Sequence, residues 1–115
     1  MQKMALFAFR GEMGCFIHVM LNAIDMKEKG FEVVVVLEGE SVKLVGELAK
    51  DTNPMHKLFE KTKSLGIFAG ACKACSHNFG VLDVVKKEGF TILEEMNGHP
   101  SIARFIESGY TILTF

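Results

Sequence analysis

Phe31-Glu32-Val33-Val34-Val35-Val36-Leu37 is a β-branched run broken by a single charge. A strand covered on both faces requires such a run, because no position can be given to water. Strands of that kind belong to parallel sheets flanked by helices. On the N-terminal side, Gly30 stops a segment from Cys15 to Lys29 in which Ile17, Met20, Leu21 and Ile24 recur at helical spacing, with His18, Asn22, Asp25 and Lys29 on another face. Before that helix, the apolar run Met4 to Phe9 meets the glycine-bearing turn Arg10-Gly11-Glu12-Met13-Gly14, which is the pattern of a buried strand ending in a loop.

On the C-terminal side the spacing predicts two short helices, over about Ser41 to Lys50 and Pro54 to Ser64. The second takes Asn53 as N-cap and an inner stripe of Met55, Leu58, Phe59, Thr62 and Leu65, with Gly66 beyond its end. Gly66 to Ala71 reads as a third strand and leads straight into a cysteine-bearing helix start. A shorter strand near Phe90 to Leu93, a helix from Pro100 to Ser108 and a closing strand from Tyr110 to Phe115 complete the order. Strand and helix alternate throughout, so right-handed crossovers and a mainly parallel sheet with helices on both faces are expected within one domain spanning residues 1–115.

Composition agrees with this reading. The chain has 115 residues, 49% hydrophobic and 23% charged, which suits one packed core. A formal net charge of −1 supplies no overall attraction to nucleic acid or anionic membrane. No apolar run approaches the length of a membrane span and no signal peptide is recognised, so a cytoplasmic protein is expected. The cysteine count of 3 is odd and argues for thiols rather than a disulfide framework. Ten phenylalanines and seven methionines are generous for the size, so some are expected at a subunit interface.

In open parallel sheets functional groups collect beyond the carboxyl ends of the strands. Ala71-Cys72-Lys73-Ala74-Cys75-Ser76-His77-Asn78-Phe79-Gly80 lies at such an end. A thiol at a helix start beside Lys73 faces unpaired N–H groups and a positive charge, both of which favour thiolate, so Cys72 is the expected nucleophile. Cys75 lies three residues on and within reach of it. His77 and Cys15 are supporting candidates, the first for proton handling and the second from the loop after the first strand.

Ile67-Phe68-Ala69-Gly70-Ala71-Cys72-Lys73-Ala74, followed by Gly80-Val81, resembles the signature of the DsrE/DsrF-like family. The stretch Asn97-Gly98-His99-Pro100-Ser101 through Gly109-Tyr110-Thr111-Ile112 is similar to that family's ending. The resemblance implies a three-layer α/β/α fold with a five-stranded sheet, assembly into trimers or hexamers, and a cysteine that carries sulfur as a persulfide between donor and acceptor proteins. By position that cysteine is Cys72. Cys75 departs from the pattern of many members and could resolve a persulfide into a disulfide.

Four functions therefore stand in order: sulfur relay by Cys72; a Cys72/Cys75 dithiol redox protein; a soft-metal site using Cys72, Cys75, His77 and Cys15; and a non-enzymatic binding module. Neither a cofactor nor a resident metal is expected under the first of these.

Overall fold

A computed structural model describes residues 1–115. Five parallel strands, β1 (Lys3–Ala8), β2 (Glu32–Leu37), β3 (Phe68–Cys72), β4 (Ile92–Leu93) and β5 (Thr111–Thr114), form one sheet in the order β4-β3-β2-β1-β5. The expected α/β architecture is therefore present. The helices are α1 (Met13–Glu28), α2 (Leu44–Leu48), α3 (His56–Ser64), α4 (Lys73–Asn78), α5 (Leu82–Lys87) and α6 (Ile102–Glu107), with a 3-10 segment over Gly39–Lys43.

The strand order decides where the core lies. From β1 to β4 every crossover advances in one direction, and right-handed crossovers then place all the intervening helices on one face. Only the return from β4 to β5 reverses, which puts α6 on the other. Val33, Val35 and Leu37 accordingly join a 19-residue cluster with Phe16, Val19, Met20, Val45, Leu48, Phe59 and Val85. Ala5, Phe7, Val36, Leu93 and Phe105 form a smaller cluster under α6. Four phenylalanines bind the larger layer together: Phe68 lies 5.0 Å from Phe90, 5.7 Å from Phe59 and 6.3 Å from Phe16, centroid to centroid. Core packing thus takes up much of the phenylalanine content.

Local departures from the sequence pattern have identifiable causes. In α1 the buried stripe is Phe16, Val19, Met20, Ala23 and Ile24, and Leu21 is exposed, because the helix begins at Met13 and its apolar arc includes Phe16. The side chain of Asn53 does not cap α3; it accepts the Met55 N–H at 2.8 Å in a turn that delays the helix to His56. The segment after Ser41 is largely 3-10 until Leu44. The helix expected after the cysteines is two short helices, separated at Gly80 with φ 70°. The last helix starts after Pro100, with Ser101 Oγ accepting from Arg104 N.

At the β1–β5 edge, Tyr110 Oη donates to Glu32 Oε2 at 2.6 Å, and Lys3 Nζ sits 3.6 Å from the same carboxylate. The hydrogen bond to Glu32 is the main reason the Tyr110 phenol is pushed up to about 12. A folded-state value above the usual 10.0 means that this contribution to stability is complete below pH 10 and lost as pH rises toward 12. Tyr110 is the only tyrosine and there is no tryptophan, so an ultraviolet titration reads this group alone. The expected midpoint is about 12, and Glu32→Gln should return it toward 10.0.

Candidate functional site

Three adjacent strand ends build one site. Beyond β2 the chain turns at Gly39, φ 57°, where a Cβ would come within 2.9 Å of Phe9 O. The buried Ser41 hydroxyl fastens that turn, lying 2.7 Å from Ala8 O and 2.8 Å from Glu38 O. Its effect is to hold Glu38, itself buried, against the end of β3. Beyond β4, Asn97 and Gly98 have φ of 50° and 88°, the positive pair that a type I′ turn requires. Met96 and His99 exchange backbone hydrogen bonds across them, at 2.8 and 2.9 Å. Gly98 O accepts the Ala74 N–H at 2.8 Å, so the hairpin is latched to the first turn of α4 and swings His99 over β3.

Between these two loops stands Cys72, the last residue of β3 and the N-cap of α4. Its Sγ lies 3.1 Å from His99 Nδ1 and accepts the Cys75 N–H at 3.3 Å; as a thiol it can also donate to Gly98 O at 3.7 Å. His99 Nδ1 is in turn 3.9 Å from Glu38 Oε1. The thiols of Cys72 and Cys75, the imidazole of His99 and the carboxylate of Glu38 present ligand atoms that all lie within 4.8 Å of one another.

The electrostatics of Cys72 correct the sequence expectation of a pre-ionised thiolate. Burial pushes its thiol up to about 12; the backbone N–H of Cys75 works against that shift, while the Cys75 thiol and the Glu38 carboxylate add to it. Neither effect invoked from sequence operates at full strength. Lys73 is turned away, with Nζ 3.2 Å from Glu94 Oε1, and α4 is only six residues long. Glu38 is likewise raised by burial, an effect that His99 partly offsets.

Other candidates stand apart. His77 is exposed and lines a shallow depression with Gly80, Leu82 and Asp83. Cys15 has its Sγ 3.6 Å from Glu12 Oε2 and borders a separate hollow with Arg10, His18 and Phe115. The soft-ligand set read from sequence, with His77 and Cys15 beside the C-x-x-C pair, is thus not assembled. Sequence reasoning missed Glu38 and His99. The available signal was position: Glu38 follows β2 directly, and Asn97-Gly98 before His99 is a hairpin dipeptide that sets the next side chain.

A parallel α/β fold whose strand ends gather two thiols, an imidazole and a buried carboxylate defines a small protein with a thiol centre. The chain matches no family model. It is 33% identical over 101 residues to the uncharacterized protein MJ0733 of Methanocaldococcus jannaschii, an alignment covering 88% of this chain and 80% of that one. The chain belongs to the same family as that archaeal protein. Its fold is also that of BT1422 from Bacteroides thetaiotaomicron, a conserved protein of unknown function, with a TM-score of 0.76 and 25% identity over 99% of this chain and 95% of the other.

Proposed function

We propose that this chain is a cytoplasmic sulfur-relay protein that carries sulfane sulfur on Cys72. The observation that carries the proposal is the 3.1 Å approach of Cys72 Sγ to His99 Nδ1 at the carboxyl end of β3. His99 supplies the base that a buried thiol needs: Nδ1 takes the Cys72 proton as the sulfur engages its substrate. The Cys72 thiolate attacks the outer sulfur of a donor persulfide, forming Cys72–S–SH. The donor leaves as a thiolate, which the imidazolium can reprotonate. An acceptor thiolate then attacks the outer sulfur and restores Cys72. The DsrE/DsrF-like resemblance of residues 67–81 and 97–112 supports this reading. It also underlies the proposal of sulfur donor and acceptor proteins as partners. No helix is long and apolar enough to cross a membrane.

Cys75 favours a second reading. Attack of its thiolate on the inner sulfur of Cys72–S–SH would form a Cys72–Cys75 disulfide and release hydrogen sulfide, giving dithiol redox chemistry on the same fold. Self-assembly into trimers or hexamers is also proposed. Its support is the thinly covered face of the sheet, where Val34 and Ala69 remain only partly buried beside the five-residue cluster under α6.

Intact-protein mass spectrometry after exposure to a persulfide donor tests both chemistries. A relay predicts the gain of one sulfur atom in wild type and in Cys75→Ala, and none in Cys72→Ala. Loss of two hydrogens without retained sulfur would favour the redox couple, and no modification of either kind would end the thiol reading.

A further inference from the structure

We infer that Glu38, Cys72, Cys75 and His99 together form a binding site for a thiophilic divalent cation, with Zn2+ the ion that the donor set fits. The inference rests on the placement of these four side chains and stands whether or not sulfur is relayed. Tetrahedral zinc holds sulfur at about 2.3 Å and nitrogen or oxygen at about 2.0–2.2 Å, so neighbouring donors around it are roughly 3.3–3.8 Å apart. The Sγ–Nδ1 distance of 3.1 Å and the Nδ1–Oε1 distance of 3.9 Å straddle that range, and all four donors fall within 4.8 Å of one another. The widest separations, up to 4.8 Å, would shorten by about an ångström as the donors close on the ion.

The directions of the side chains argue that Glu38 serves a shared ion rather than orienting the His99 ring. In a relay the sulfur and the carboxylate face opposite nitrogens of the imidazole, so that one gives a proton while the other orients the ring. Here Cys72 Sγ and Glu38 Oε1 both approach Nδ1. Donors converging on one point describe a coordination sphere. Glu38 adds a second argument, because the residue is buried at 8% exposure and His99 is its only ion-pairing partner. A buried carboxylate beside two thiols is unfavourable until a cation joins them.

The backbone is already arranged for such an ion. Cys72 Sγ accepts the Cys75 N–H, a bond that favours the charged sulfur a metal requires. The Ser41 turn fixes Glu38 and the Asn97-Gly98 hairpin fixes His99, so the ligands come from three strand ends held independently of the ion. Two cysteines, a histidine and a carboxylate form a mixed set of sulfur, nitrogen and oxygen donors suited to zinc rather than to magnesium or calcium. Uptake releases the two thiol protons and ties up Cys72, so zinc and sulfane sulfur compete for the same atom.

The test uses the full chain, reduced and stripped with a chelator, then titrated with Zn2+ against a chromophoric chelator and separately with Co2+. One Zn2+ per chain is expected, and Co2+ should give the intense visible bands of a tetrahedral site with sulfur-to-metal charge transfer. His99→Ala and Glu38→Gln should each weaken Zn2+ binding by at least about 10–100-fold. Cys75→Ser should remove part of the charge-transfer intensity, whereas Lys73→Ala and His77→Ala should leave affinity within about 2-fold, since neither side chain lies in the cluster. Circular dichroism of each variant separates ligand loss from unfolding, and Glu38→Gln preserves side-chain volume. Absence of stoichiometric uptake by the folded wild type would overturn the inference. So would wild-type affinity in both His99→Ala and Glu38→Gln, which would leave only chelation by the two thiols. Sulfur loading measured on the stripped protein is a separate readout, so either result can fail without the other.

Discussion

Gly70→Ala is expected to destabilise the chain by about 3 kcal/mol or more, at the upper end of the range for forcing a methyl group into packed structure. A Cβ at residue 70 would collide with the backbone oxygen of Thr91 and lie 2.8 Å from Leu93 Cγ. The oxygen cannot retreat, because it accepts the Ala71 N–H at 2.9 Å in the pairing that attaches β4. That pairing has only two registered rungs, Ala71 with Ile92 and Cys72 with Leu93. Separating the strands would therefore detach β4 and the hairpin that carries His99. Gly14→Ala provides the contrast: nothing lies within 4 Å of its added Cβ, and a helical alanine should be neutral or mildly stabilising. Urea denaturation of the two variants measures the difference. Wild-type stability in Gly70→Ala would show that β3 and β4 do not approach as described.

The same crowding explains which parts of the fold could be read from the chain. Phe31 to Leu37 announced a doubly covered strand because four valines in succession leave no polar face, and β2 has neighbours on both edges and side chains in both clusters. Crossover handedness then follows from topology rather than from particular residues. Boundaries were less legible wherever a tertiary contact overrode a local preference. Asn53 is a good N-cap in isolation, but its side chain turns to the nearer Met55 N–H. The register shift between Val35 and Val36, opposite Phe68 and Gly70, had one local sign, a glycine inside an apolar strand, but that sign does not say whether a bulge or a close neighbour is the cause.

At the site, Cys72 and Cys75 were legible because a thiol at a strand end and a second one three residues later are both local facts. Glu38 and His99 were not, since their proximity to Cys72 depends on β2, β3 and β4 being neighbours in space. Charge state was the least legible property. From sequence, Lys73 stands beside Cys72; in the fold it pairs with Glu94, and burial dominates the thiol. A neighbour in sequence supplies electrostatic help only when its side chain turns toward the group it is meant to assist.

His99→Ala in chelator-stripped protein is expected to slow persulfide loading of Cys72 at neutral pH by about 10²–10⁴-fold, the usual contribution of a positioned base. The magnitude follows from the state of the thiol. Burial holds Cys72 protonated, and the Cys75 N–H alone does not offset that burial. A group within hydrogen-bonding distance must then accept the proton as sulfur–sulfur bonding begins, and His99 Nδ1 at 3.1 Å is so placed. If instead Lys73 and the start of α4 ionised the sulfur, Lys73→Ala would slow loading and His99→Ala would hardly matter. The two variants therefore separate the sequence-based account from the geometric one. His77→Ala serves as the control, because that histidine is exposed and outside the cluster. Rates come from the mass shift followed over time. An undiminished rate in folded His99→Ala would remove the imidazole from the chemistry and return the search for a proton acceptor to Glu38, the carboxylate of the same cluster.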